Sequence, residues 1–392
     1  MAVASPSIVK ALKPGIQANL YAFYDELRSG GGLSWDRHLQ SWIATSYELV
    51  SAGAGDPRLS SVRYPDLEEA PEQIRPLARL LDKMMLYSDA PTHPRLRALV
   101  SKAFTARSVE SLRERIASTV DRLISAAAPG GQLDVVADLG RPLPLEVICD
   151  LLDVPAADRA ELGRWSSDLA HGNRESTQSV PQIVSYFGWL LERQRDDASD
   201  SLLQGFLRAE ENGSRLSEEE LLANSIMLLM AGNETTTNLI GNGTLALLQH
   251  PDQLRRLIGD PALIRPAIEE LLRYDAPVHI MVRRARQDIE LAGCTVRQGE
   301  MVLLVPGAAN RDPAAFPDPH TLDFDRSGAR HLAFGHGPHF CLGASLARLE
   351  GEVAILGLIT KRPGLRLAHD RLQWQRSLHF RALTRLDVAF TA

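Results

Sequence analysis

The sequence predicts a mainly α-helical chain with small β-sheets, on three observations. Apolar residues recur at helical spacing over long stretches, strand-like patterns are few, and the breaks between them are ordinary Gly and Pro turns. In chain order, a strand pattern comes first, at Leu33 to Thr45. Helical patterns then fill Leu96 to Ala127, Leu143 to Leu152, Val180 to Arg195, and 217 to 273. Strand patterns return at Ile289 to Val305 and at Leu372 to Phe390. Gly30-Gly31-Gly32 and Pro129-Gly130-Gly131 read as turns, and no internal repeat or low-complexity tract appears.

At 392 residues and 44% hydrophobic, the chain can bury a large core. Length alone would suggest two or three domains. Lys+Arg 43 against Asp+Glu 49 gives a net charge of −6, which argues against general nucleic-acid binding. Three cysteines suit a reducing compartment. They show no paired spacing, which argues against a zinc cluster or a disulfide framework. Met1 to Pro14 contains no run of about 20 apolar residues. It also lacks the pattern of a signal peptide. The expectation is a cytoplasmic chain without a membrane anchor.

Cys341 sits in the run Phe334-Gly335-His336-Gly337-Pro338-His339-Phe340-Cys341-Leu342-Gly343. The glycines let the backbone turn tightly and approach a flat ligand. Pro338 stiffens the loop and removes a donor. Gly343 then opens an apolar-periodic stretch (Ala344, Leu346, Ala347, Leu349, Val353, Leu356), which places the cysteine at a helix N-terminus. Outward-pointing amides there favour an anion, so a thiolate would be a good axial ligand for iron. Taken alone, a lone cysteine is more often a small buried hydrophobe.

Two further patterns lie upstream. In Glu270-Leu271-Leu272-Arg273 the acid and the base share a helix face. Such pairs on solvated helices contribute little. Ile268, Leu271 and Leu272 make this helix partly buried, and Tyr274-Asp275-Ala276-Pro277 stops it. The stretch 217 to 249 begins at a capping box, Ser217 with Glu220, and carries a long apolar face. Its middle, Ala231-Gly232-Asn233-Glu234-Thr235-Thr236-Thr237, is a polar notch of poor helix formers. A threonine hydroxyl there can bond an earlier carbonyl and bend the helix. The notch is either a water-filled distortion or a functional site.

The three patterns together resemble the cytochrome P450 family, whose haem-binding loop has the form Phe-Gly-x-Gly-x-His/Arg-x-Cys-x-Gly. Residues 334 to 343 match every fixed place in it, and the resemblance runs from about Tyr21 to the last strands. It implies a single triangular cytochrome P450 domain over 1–392. A helix-rich lobe would stand beside a smaller β-rich lobe formed by about 33–62, 278–306 and 366–390. It also implies a thiolate-ligated haem b with Cys341 on the iron, Phe334 shielding the sulfur and His339 reaching a propionate. Gly335, Gly343 and Ala231 would line the haem. Gly232 would leave room for dioxygen, and Glu234 with Thr235 would relay protons to it. Glu here replaces a common Asp, and Asn233 is polar where an apolar residue is frequent.

The resemblance makes Glu270, Arg273 and Arg326 a structural support for the cofactor cradle. His93 and Arg97, four apart at the start of a helix, would grip propionates, although Ala90 stands where proline is usual. Arg283 fits the arginine that enters a strand beneath the haem. Arg284 is its rival and should point to the opposite face. For the substrate pocket the family positions are Met84, Met85, Met227, Met230, His279, Met281 and Leu378. The methionines fit an adaptable apolar wall as well as plain core. The polar stretch Ala170 to Thr177 is either a mobile lid or a surface loop. Arg348 with Lys102 and Arg107 is either a cationic docking patch or a solvated face.

The implied activity is a monooxygenase that hydroxylates or epoxidises a small hydrophobic molecule in bacterial secondary metabolism. Electrons would come from a ferredoxin and an NAD(P)H-fed ferredoxin reductase, the enzyme itself being a monomer. Oxidative coupling, desaturation or nitration by the same cofactor is the alternative, and a haem-holding module without turnover is a third.

Overall fold

The computed structural model describes residues 6–62, 67, 72–102, 104, 106–127, 131–171, 176–195, 201–210 and 213–391. They form two compact units. The first comprises Met1–Ser60, Ala117–Gly140 and Thr235–Ala392, and the second Ser61–Ile116 and Arg141–Glu234. Helices dominate both, and the strands are short: β1 Leu33–Asp36, β2 Ser41–Ala44, β3 Leu59–Ser60, β4 Gln132–Asp134, β5 Met281–Ala285, β6 Ile289–Leu291, β7 Cys294–Val296, β8 Met301–Leu304, β9 Arg366–Leu367, β10 Gln373–Trp374, β11 Leu383–Arg385 and β12 Asp387–Ala389.

All strands among the described residues belong to the first unit. The main sheet has the order β1-β2-β8-β5-β3. Strand β2 runs parallel to β8 with Ser41 opposite Met301, while β5 runs antiparallel to β8 with Arg283 opposite Val302. One face is sealed by Val50 and Ala54 of the helix Tyr47–Gly55, packed with Leu59, Ala285, Val302 and Leu304. A second cluster joins the helix Ile264–Tyr274 to the helix Ala344–Lys361 through Ile268, Leu271, Leu272, Ile355 and Ile359. This cluster carries the cysteine loop.

In the second unit, Leu96, Leu143, Leu162, Ile183, Phe187, Phe206, Ile226 and Leu229 are almost fully buried. They come from the helices Thr92–Ser101, Pro142–Leu151, Arg159–His171, Ser176–Gln194, Leu202–Arg208 and Glu218–Gln249. The predicted capping box forms as read: the Ser217 amide donates to Glu220 Oε2 at 2.9 Å and the Glu220 amide to Ser217 Oγ at 3.2 Å.

Three sequence expectations need correction. The pattern 217 to 273 divides into three α-helices, Glu218–Gln249, Pro251–Gly259 and Ile264–Tyr274, with Pro251 opening the second and a 3-10 turn Pro261–Leu263 leading into the third. Leu96 to Ala127 likewise divides into Thr92–Ser101, Ala106–Glu110 and Arg113–Ala126. The polar notch does not interrupt its helix, which runs α-helical from Glu218 to Gln249. Thr237 gives its hydroxyl proton to the Gly140 carbonyl at 2.8 Å. The segment ending there is a π-helical turn, Val135–Gly140.

Candidate active site

The cysteine loop is built on two left-handed glycines, Gly335 at φ +73° and Gly337 at φ +71°. A side chain at Gly337 would also stand 2.8 Å from Gly55 Cα, so the loop lies directly on the helix Tyr47–Gly55. The turn closes when the Cys341 amide donates to the Phe334 carbonyl at 2.9 Å. Gly343 is the N-cap of Ala344–Lys361, so Cys341 stands two residues ahead of the cap. Phe334 is buried within the second cluster and Cys341 packs partly buried against it. A Cβ at Gly343 would meet nothing within 4 Å, which leaves open space beside the sulfur segment.

Glu270, Arg273 and Arg326 come together behind this loop. Arg273 Nε and Nη2 each donate to a Glu270 carboxylate oxygen at 2.7 Å. Its remaining protons reach the carbonyls of Asn310, Pro319 and Thr321 at 2.9–3.0 Å. Arg326 Nε donates to Glu270 Oε1 at 3.0 Å, as does the Asp323 amide at 2.9 Å. Burial pulls the Arg273 pKa down, and Glu270 opposes that pull.

On β5, Arg283 and Arg284 separate as alternation requires. Arg283 is buried, whereas Arg284 Nη1 donates to the Gly299 carbonyl on an exposed face. His339 ends a short 3-10 turn, Gly337–His339, within the loop. In the second unit His93 is buried, on the same face as the half-buried Arg97. Burial lowers the His93 pKa and the Arg97 charge lowers it further, against Asp89, so the imidazole is biased toward its neutral form.

The long helix carries the remaining catalytic candidates. From Ala223 to Leu247 every residue is buried except Ala231, Gly232 and Thr235. Ala231 and Thr235 lie four apart, so the three make one accessible strip on an otherwise enclosed helix. Glu234 and Asn233 beside them are buried.

The pocket positions divide differently. Met84, Met85, Met227 and Met230 are all buried, which favours their core reading. The Met85 amide donates to Asn224 Oδ1 at 2.9 Å, and Asn224 in turn donates to the Lys83 carbonyl at 3.0 Å. His279 is enclosed, 2.9 Å from Tyr24 Oη and 3.7 Å from Asp275, with Leu378 half-buried at the edge of the core cluster that holds Tyr24. Met281 does reach the cysteine loop, its sulfur 3.7 Å from where a Gly335 Cβ would stand. Of the lid stretch, residues 172–175 lie outside the described residues, as does the Arg107 side chain. Lys102 donates to the Glu210 carbonyl. Arg348 pairs with Glu269 at 2.6 Å and stays partly exposed.

Sequence reasoning missed Glu269 and His331, and the pairing of both His331 and Arg348 with Glu269 beside Phe334. Burial raises the Glu269 pKa, but the hydrogen bonds and charges of His331 and Arg348 outweigh it and bring it down to about 2. The only local signal was the position of Glu269 next to Glu270.

The Cytochrome P450 family model matches residues 171–260 and 262–361. The chain is 43% identical over 353 residues to the vitamin D(3) 25-hydroxylase of Pseudonocardia autotrophica, covering 88% of this chain and 87% of that protein. It is 40% identical to the 6-deoxyerythronolide B hydroxylase of Saccharopolyspora erythraea, over 94% of this chain and 95% of the relative. The chain belongs to the cytochrome P450 family. The crystal structure of P450BioI with a hexadec-9Z-enoic acid-ligated acyl carrier protein superposes with a TM-score of 0.91 at 39% identity. It covers 96% of this chain and 100% of that one.

As a P450, the chain is a haem-thiolate monooxygenase of mainly helical fold. Its residues fit that cofactor. The Cys341 sulfur is partly exposed on a glycine turn with open space beside it, and among the described residues no cluster of His, Cys, Asp and Glu forms a metal site. Arg283 is a buried cation, the kind of group that a carboxylate leaving water needs. No described helix is long and apolar enough to cross a membrane.

Proposed function

We propose that Cys341 holds the haem iron of this P450 while Glu234 and Thr235 handle protons at dioxygen. The observation carrying this reading is the accessible strip Ala231, Gly232 and Thr235 on a helix buried on both sides of it. When bound, thiolate-ligated haem supplies dioxygen activation and insertion of one oxygen atom into a C–H or C=C bond. Gly232 would leave a diatomic molecule room along the helix backbone beside Thr235, since Ile148 lies 3.4 Å from where its Cβ would stand. The Thr235 hydroxyl holds a proton at Oγ1, and the Glu234 carboxylate beside it replaces that proton from water. His93, Arg97, Arg283 and His339 would bind the propionates, and Ala231, Gly335 and Gly343 would lie flat against the ring.

The substrate in this reading is a small hydrophobic secondary metabolite, hydroxylated or epoxidised. The 6-deoxyerythronolide B hydroxylase relative supports it. Met281 and Leu378 are the pocket positions that remain on its wall, and the enzyme acts in the cytoplasm as one domain. P450s draw electrons from redox partners, and a ferredoxin with its reductase is the pair proposed here. A second reading has the substrate delivered on a carrier protein, supported by the acyl carrier protein complex of P450BioI. A spectral titration with free macrolactones and with acylated carrier protein, followed by mass analysis of turnover with a surrogate reductase, tests both. Oxygenated product from a free macrolactone supports the first reading, product only from the carrier-bound acyl chain supports the second, and product from neither contradicts both.

A further inference from the structure

Phe334 is gripped by charged groups that take no part in the roles assigned above. Arg348 Nε and Nη2 donate to the two carboxylate oxygens of Glu269 at 2.6 and 3.0 Å. The guanidinium carbon lies 4.5 Å from the centre of the Phe334 ring. His331 Nε2 is 3.2 Å from the same carboxylate, and its ring centre is 5.8 Å from that of Phe334. Because His331 Nδ1 accepts from the Ala333 amide at 3.2 Å, its proton sits on Nε2 and faces Glu269. Phe334 in turn takes the Cys341 amide on its carbonyl.

The side chains of Glu269 and Arg348 are 45% and 31% exposed, so the ion pair itself adds little stability. What a two-pronged guanidinium contact does supply is a fixed plane, here laid over an aromatic ring. Glu269 is anchored on the same helix turn as Glu270, the group that fixes Arg273 and Arg326. One turn of helix thus orients both the frame and the ring.

We propose that Glu269, Arg348 and His331 are positioning residues that hold the Phe334 ring against the cysteine segment, keep water from the sulfur and so set the reduction potential of the haem iron. The proposal rests on the reading of Cys341 as the iron ligand. Hydrogen bonds and solvent at a ligand sulfur change the potential of its metal. Water admitted at the thiolate weakens its donation to iron and moves the potential upward.

The test is the haem reduction potential of the purified holoenzyme and of Glu269→Gln, Arg348→Met and Arg348→Lys. These variants remove a negative charge, remove a positive charge and keep the charge while losing the flat fork. Holding the ring predicts an upward shift in all three. Opposite shifts for Glu269→Gln and Arg348→Met with none for Arg348→Lys would reduce the effect to plain charge and overturn the proposal, as would three unmoved potentials. Arg348→Lys keeps both charge and apolar stem, so it guards against a variant that fails to fold. If the cysteine assignment itself is wrong, the unsubstituted protein already lacks the thiolate spectrum of its reduced carbonyl complex. If only the positioning role is wrong, that spectrum is intact and the potentials stand still.

Discussion

Arg273 uses all five of its N–H groups, two on Glu270 and three on backbone carbonyls, at 2% side-chain exposure. Removing it strands a carboxylate that is itself 5% exposed. Arg273→Ala should therefore destabilise the fold by about 3–5 kcal/mol, since a buried charge loses its main partner. Urea unfolding checks this, and a loss under about 1 kcal/mol, the scale of an exposed pair, would place the pair on a solvated surface. Thr235→Ala should leave stability nearly untouched yet uncouple the reaction. Product per electron should fall steeply while peroxide release rises, because a positioned proton donor is worth roughly 10²-fold or more in rate. Unchanged coupling would remove Thr235 from the proton path. Glu270, Arg273 and Arg326 were legible in the sequence because helix spacing pairs the first two and a recognisable segment carries the third. The meeting of Glu269, His331 and Arg348 was not, since it depends on three segments folding together and no local spacing encodes it.

At the scale of elements, the cysteine loop depends on Gly337 more than on any apolar contact. Its φ of +71° suits glycine, and a Cβ would collide with Gly55 Cα at 2.8 Å. Gly337→Ala should leave the helical circular dichroism intact but lower the haem-to-protein ratio of the purified enzyme. Full loading would show that the loop tolerates displacement from the helix Tyr47–Gly55. The long helix taught a different lesson. Its cap at Ser217 and Glu220 was readable, because capping is a local hydrogen-bond pattern. Its notch carries a contact that no local pattern encodes, because Thr237 bonds Gly140, a residue 97 positions away. Strands β3 and β9 span two residues each, too short for an alternating pattern to show.

At the scale of the whole molecule, burial has left one carboxyl out of balance. Glu350, on the helix after the cysteine loop, is 2% exposed, and desolvation pushes its pKa up to about 8. In the unfolded chain its value is the ordinary 4.5. Between these two values the unfolded state releases the proton and the folded state keeps it, so this group makes stability fall as pH rises, by up to about 1.4 kcal/mol per pH unit. Below pH 4.5 both states hold the proton and the effect vanishes. Glu350→Gln should remove that slope. From pH 5 to 7 the variant should gain on the order of 2 kcal/mol relative to the parent. A difference independent of pH would mean that Glu350 is ionised in the fold. The mainly helical class was legible from periodicity, but the division into two interleaved units was not, because the first unit gathers three separate stretches of chain.

The central claim is that the Cys341 sulfur, presented by the turn from Phe334, bonds the haem iron. The most direct measurement is the absorbance of the reduced carbonyl complex of the purified protein and of Cys341→Ser, with circular dichroism as the control for folding. The account predicts the thiolate-specific band in the parent and its complete loss in the folded variant. Retention of that band in Cys341→Ser, or its absence from a haem-loaded parent, would contradict it.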